Sequence, residues 1–195
     1  MVPRRRSLSE GTLLPSGATY HPSFLSEEEH DALVAVVDGR LGKRRYERDH
    51  WDGVIDNYRE GEIPERFLCP TARAAVNRVR ETLATRHGAT RFLPPHAIDL
   101  ADSESAISPH VDSVKFSGGL VAGVSLLSAA TMSLCKADEA TGEELPEGPR
   151  YSLRLEPRSL YVLAGDARYS HAHSVVALDG RRVSVIFRDA KGDGD

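Results

Sequence analysis

The chain has 195 residues, 40% of them hydrophobic, which suits one globular domain with a sizeable core. A formal net charge of −4 argues against a protein that coats nucleic acid by neutralising phosphates with Lys and Arg. No apolar run nears the roughly 18 residues of a membrane span. The two cysteines, Cys69 and Cys135, form no CxxC pair, which excludes a disulfide framework and a thiolate zinc site.

In chain order, residues 1–23 read as a flexible basic segment. They carry Arg4, Arg5 and Arg6, a single acid at Glu10, and no apolar stretch of the kind a secretory signal needs. The same composition is compatible with an organelle transit peptide. Order is expected from Phe24. Ser26 and Glu29 have capping-box spacing ahead of Leu33, Val34, Val36, Val37 and Leu41, which predicts a helix. A polar stretch follows from Lys43 to Arg66 and holds Trp51 and Tyr58. A second helix is expected over about Thr71 to His87, with Val76, Val79 and Leu83 on one face and Gly88 as its stop.

After Pro94 and Pro95 the pattern changes. Short apolar stretches alternate with turns: His96 to Leu100, Gly119 to Leu127, Thr131 to Cys135, Tyr151 to Leu155, Leu160 to Leu163 and Val183 to Phe187. Asp138 to Arg150 reads as a polar hairpin loop, and Lys191 to Asp195 as a frayed tail. The expected fold class is α+β, mainly β: a jelly roll with two supporting helices near the N-terminus, one domain over residues 24–190.

Eight histidines are present. His110-Val111-Asp112 is an HxD pair, which on a strand sets an imidazole and a carboxylate on one face. That is two-thirds of the facial triad that holds non-haem Fe(II) and leaves positions open for co-substrate and oxygen. A second copy, His50-Trp51-Asp52, lies in a charged stretch, and His50 is read as a surface or substrate-side residue. The third ligand is expected from His171 or His173, and periodicity does not choose between them. Arg182 and Arg188 bracket an alternating strand and share a face. Turned inward, they need an anion, and a guanidinium suits a carboxylate. Turned outward, they leave Val183, Val185 and Phe187 to fill the core.

The order HxD, His, Arg-x5-Arg resembles the AlkB-type dioxygenases, which use Fe(II), 2-oxoglutarate and molecular oxygen. Longer runs are similar to the mitochondrial branch of that family: Phe24 to His30, Arg44 to Asp52, Pro109 to Phe116, and Leu160 to Leu163 with Ala167-Arg168-Tyr169. The resemblance spans Phe24 to Arg188. It implies a double-stranded β-helix and iron ligands at His110, Asp112 and His173. It also implies that Arg182 and the Tyr161 hydroxyl hold the distal carboxylate of 2-oxoglutarate, with Arg188 nearer the iron end. Only Ser174 to Arg181 separate His173 from Arg182, fewer residues than in the vertebrate relatives, which alters one cleft wall. Little material is left for a lid that grips a flipped base; Lys43 to Arg66 is the one candidate.

The expected activity is oxidation of a substrate C–H bond, by hydroxylation or N-demethylation, with release of succinate and carbon dioxide. The alternative is a low-turnover binding or regulatory module that docks a protein partner. A hydrolytic zinc enzyme would leave the paired arginines unexplained. Methylated RNA, a protein side chain and a small molecule are all open as substrates, and duplex DNA is disfavoured. Arg44, Arg45, Arg48, His50 and Trp51 are candidates for a cationic stacking surface. The protein is expected to be a monomer, without membrane contact, and mitochondrial by resemblance, with the cytoplasm as the alternative.

Overall fold

The computed structural model describes residues 14–48, 54–113, 115, 117–138, 141–145 and 147–191. His50, Trp51 and Arg4 to Arg6 therefore lie outside the described residues. Helix α1 runs Glu27–Leu41 because Ser26 caps it. The Glu29 amide donates to Ser26 Oγ (3.1 Å) and the Ser26 amide donates to Glu29 Oε2 (2.8 Å), so two otherwise orphaned N–H groups are satisfied. Leu33, Val37 and Leu41 form its buried stripe. Helix α2, Pro70–His87, opens with a proline in its first turn, where a missing N–H costs nothing. It ends at Gly88, which adopts a left-handed φ of 71°.

Ten strands are found among the described residues: β1 Ala18–His21, β2 Tyr58–Glu62, β3 His96–Leu100, β4 Ala106–His110, β5 Leu120–Leu127, β6 Ala130–Lys136, β7 Arg150–Leu155, β8 Leu160–Ala164, β9 His171–Ala177 and β10 Arg182–Arg188. A short helix, α3, covers Gly165–Tyr169. Every pairing is antiparallel. The strands form a six-stranded sheet ordered β1-β8-β5-β10-β3-β2 and a four-stranded sheet ordered β4-β9-β6-β7. The expected jelly roll with two helices is present.

The larger sheet is covered on both faces. On one side α1 and α2 pack Leu33, Val37, Val76, Val79 and Leu83 against Ala122, Val124, Val183, Val185 and Phe187. On the other, Ile98, Val121, Tyr161 and Ile186 meet Met132, Leu134, Leu155 and Val175 of the smaller sheet. Alternate residues of β5 and β10 thus serve two different apolar layers. No helix among the described residues is long and apolar enough to cross a membrane.

Four strands were not evident in the sequence pattern. β1 lies ahead of Phe24, where patterning places the start of order, and pairs along its whole length with β8. β2 reads Tyr-Arg-Glu-Gly-Glu and lies within the stretch expected to be a polar loop. It stays in the sheet because its charge is paired. Arg59 Nε donates to Asp99 Oδ2 at 2.7 Å, and Asp99, fully buried, also accepts from Arg181 Nε (2.9 Å) and Tyr46 Oη (3.2 Å). β4 carries Pro109, which an edge strand tolerates. β9 holds both candidate histidines and continues to Ala177, so only a short turn links it to β10.

Candidate active site

Strand β4 pairs regularly with β9 at Ala106 opposite Val176 and Ile107 opposite Val175, then shifts by one residue so that His110 stands opposite His173. Without that shift, Pro109 would face His173. His110, three residues from the inward Ile107, would point to the opposite face. The bulge therefore turns His110 into the space between the sheets. Its Nδ1 lies 2.9 Å from the Ser108 carbonyl. A carbonyl only accepts, so Nδ1 carries the proton and Nε2 keeps its lone pair. Asp112 sits in the loop after β4, not on the strand that the HxD spacing implied.

One donor atom each from His110, Asp112 and His173 lies within 4.8 Å of the others. The two imidazole rings are 4.4 Å apart, and His173 Nε2 is 3.6 Å from Asp112 Oδ2. Burial of His173, helped by the nearby His110, Arg168 and Arg188, pushes its pKa down to about 3, against the opposing pull of Asp112. Burial raises Asp112, but His173, Arg188 and His110 outweigh it and hold the carboxyl well below the usual carboxylate range. At neutral pH His173 is therefore a neutral imidazole and Asp112 a carboxylate, the forms that bind a metal. The three residues could hold one ion on one side and leave the other side open.

Two main-chain and side-chain contacts frame Asp112. Arg188 Nη2 donates to its Oδ1 at 2.9 Å, and Arg168 Nη1 donates to its carbonyl oxygen at 2.7 Å. Arg188 is thus committed to a member of the cluster.

The same cavity, about 480 Å³, extends from the triad to Arg182 and Tyr161. Arg182 is 1% exposed, and its Nη2 donates to Ser125 Oγ at 3.3 Å. Its Nε and Nη1 have no hydrogen-bond partner among the described residues. A buried guanidinium with two idle donors is the expected counterpart of a carboxylate. Burial raises the Tyr161 phenol to about 12, which keeps it a hydroxyl donor. Gly123 makes room for that ring: a Cβ there would come within 2.6 Å of Tyr161 Cε1. The Arg182 and Arg188 side chains both face this cavity, while Val183, Val185 and Phe187 of the same strand face the helices. The arginines turn inward and Val183, Val185 and Phe187 still fill a core, because the sheet has a covered face on either side.

Of the two candidate third ligands, His173 joins the cluster. His171 Nδ1 instead lies 3.1 Å from the Asp166 carbonyl. Arg44, Arg45 and Arg48 are exposed, and Arg44 donates to the Glu60 carbonyl at 2.7 Å. The Lys43 to Arg66 stretch contributes Val54, Ile55 and Glu60 to the cavity wall, where Glu60 pairs with His96 at 3.0 Å. Gly123, Ser125 and Arg168 were not singled out as site residues. An isolated glycine inside an apolar strand is a signal of close approach and could have marked Gly123.

No family model matches the chain. The mouse (Mus musculus) protein named alpha-ketoglutarate-dependent dioxygenase alkB homolog 7, mitochondrial, is 40% identical over 184 residues, covering 88% of this chain and 77% of the relative. Its bovine (Bos taurus) namesake is 39% identical over 186 residues, covering 90% and 79%. Among solved structures, a Pseudomonas putida prolyl-4-hydroxylase superposes with a TM-score of 0.66 at 14% identity, covering 90% of this chain and 94% of its own, a likeness of fold. Alpha-ketoglutarate is 2-oxoglutarate, the dicarboxylate that a buried arginine with idle donors fits. With the mouse and bovine relatives matched over most of both chains, this chain belongs to the AlkB-type Fe(II)- and 2-oxoglutarate-dependent dioxygenases, in the branch of alkB homolog 7.

Proposed function

We propose that His110, Asp112 and His173 hold the Fe(II) of this dioxygenase, and that Arg182 and Tyr161 hold the distal carboxylate of 2-oxoglutarate. The observation that carries the reading is Arg182: a guanidinium 1% exposed, with Nε and Nη1 unpartnered, in the same cavity as a His-Asp-His cluster. The bound iron, 2-oxoglutarate and oxygen together supply the oxidising power for C–H hydroxylation, with succinate and carbon dioxide released. The chain's own residues do the rest. Ser108 fixes the His110 tautomer, Arg188 orients the Asp112 carboxylate, and Tyr161 stays protonated as a donor. The apolar walls Ile98, Ile107 and Ile186 exclude water from the space between the two ends.

The substrate bond is a C–H bond, oxidised by hydroxylation or, on an N-methyl group, with loss of formaldehyde. The protein acts in mitochondria as a monomer, a reading supported by the names of the mouse and bovine relatives for the location. The catalytic domain starts ahead of residue 24 and runs to about residue 190, a reading that the β1–β8 pairing supports. The test is succinate formation by purified protein with Fe(II), oxygen and labelled 2-oxoglutarate. His110→Ala combined with Asp112→Ala should abolish it; persistent iron-dependent turnover would overturn the ligand assignment. Mass spectrometry of RNA and protein from cells with and without the enzyme identifies the class of substrate.

A further inference from the structure

Asp112 is the one member of the triad that no strand pairing holds. It stands in the loop between β4 and β5, so the position of its carboxylate depends on what fixes the loop main chain. Arg168, on α3, does so from behind. The residue is 2% exposed. Nη1 donates to the Asp112 carbonyl oxygen at 2.7 Å and Nη2 donates to Ser117 Oγ at 3.0 Å. One planar fork therefore pins two points of the loop. Further on, Asp189 anchors the end of the loop, accepting from the Gly119 amide (3.1 Å) and the Leu120 amide (2.9 Å).

We propose that Arg168 is a positioning residue for the metal site: it fixes the Asp112 main chain against Ser117 and thereby sets where the carboxylate stands relative to His110 and His173. Arg168 does not touch the carboxylate itself, whose Oδ1 is served by Arg188. The two arginines divide the work, one orienting the carboxylate and one placing its backbone. The element that carries Arg168 also leads directly into β9, where His173 sits. Arg168 thus ties a loop ligand to the segment that delivers the third ligand. A lysine could not do this equally well, because a single ammonium on a flexible stem lacks the rigid fork that spans two acceptors. Charge-assisted hydrogen bonds to both partners offset part of the cost of burying this guanidinium, whose Nε has no partner among the described residues.

The inference rests on the proposed metal site, and the experiment separates the two. Metal-free protein, its Arg168→Met, Arg168→Lys and Ser117→Ala variants are titrated anaerobically with Co(II), and both affinity and the visible bands of the bound ion are read. Far-UV circular dichroism and the melting temperature of each metal-free protein are recorded alongside. The parent binds one Co(II). Arg168→Met weakens binding by about 10- to 100-fold, the range typical for loss of a group that orients a ligand, and shifts the visible bands. Arg168→Lys recovers part of the loss, and Ser117→Ala falls between lysine and parent. A folded Arg168→Met variant with parental affinity and bands overturns the inference, as does full recovery by lysine. If Arg168→Met does not fold, Ser117→Ala decides: weakened binding supports the inference and parental binding overturns it. If the parent itself binds no Co(II), the metal site is wrong and the inference falls with it.

Discussion

Replacing Arg182 with methionine removes a charge from the interior while keeping a side chain of similar length. Two effects of opposite sign follow from its surroundings. With 2-oxoglutarate bound, the guanidinium faces a carboxylate in a buried setting, and losing one partner of such a pair costs about 2–5 kcal/mol. At about 1.4 kcal/mol per factor of ten, affinity falls roughly 30-fold to several thousand-fold. Without ligand, Arg182 carries two unpartnered donors and a charge that burial disfavours. An unmet buried polar group costs about 1–3 kcal/mol, and methionine removes that cost. The metal-free, ligand-free variant should therefore melt no lower than the parent, and higher by several degrees if the whole gain is realised, at about 2–4 °C per kcal/mol for a chain of this size. Isothermal titration with 2-oxoglutarate and Mn(II) in place of iron, together with calorimetric melting of the apo protein, reads both quantities. An unchanged dissociation constant would refute the reasoning. So would a large loss of apo stability, which would make Arg182 a structural residue.

Gly123→Ala puts a methyl group 2.6–2.7 Å from the Tyr161 ring and hydroxyl, so the tyrosine must move. Overpacking of this kind costs about 1–3 kcal/mol, and the variant should melt lower and show a raised KM for 2-oxoglutarate while Co(II) affinity stays parental. A parental KM would mean that Tyr161 does not touch the co-substrate. Cys135 is buried, and burial first, then the hydrogen bond from Sγ to Glu144 Oε1 (2.6 Å), pushes its thiol up to about 12. At pH 8 roughly one in ten thousand such thiols is ionised, and the thiolate is the nucleophile. In native protein iodoacetamide should label exposed Cys69 and spare Cys135, with labelling of both only in denaturant. Peptide mapping that finds equal rates in native protein would contradict the buried setting.

What was legible in the amino-acid sequence was whatever local physics settles. The Ser26–Glu29 box, the apolar stripe of α1 and the Gly88 stop are short-range features, and both helices stand where they predict. Six strands whose apolar or alternating stretches stand between turns were equally plain. The strands that hid are those whose stability comes from elsewhere in the chain. β2 is too polar to read as a strand until Asp99, shared with Arg181, arrives to pair with Arg59. β1 has four residues and one neighbour. β4 is interrupted by Pro109 and a bulge.

The candidate site divides in the same way. Residue types and their order sufficed to nominate His110, Asp112, Arg182 and Arg188, because the chemistry of an iron and a carboxylate limits which side chains serve; Tyr161 came only with the resemblance to the AlkB-type family. Spacing suggested the wrong mechanism for bringing His110 and Asp112 together, since one ends a strand and the other stands in a loop. Only tertiary structure decided the rest. The one-residue shift against β9 turns His110 inward and sets it opposite His173 rather than Ala172. Helices on one face and the smaller sheet on the other let β10 bury valines and arginines in opposite directions. Residue types along a chain determine which chemistry is available. Register, bulges and what covers each face determine which atoms meet, and those are set by contacts between segments far apart in sequence.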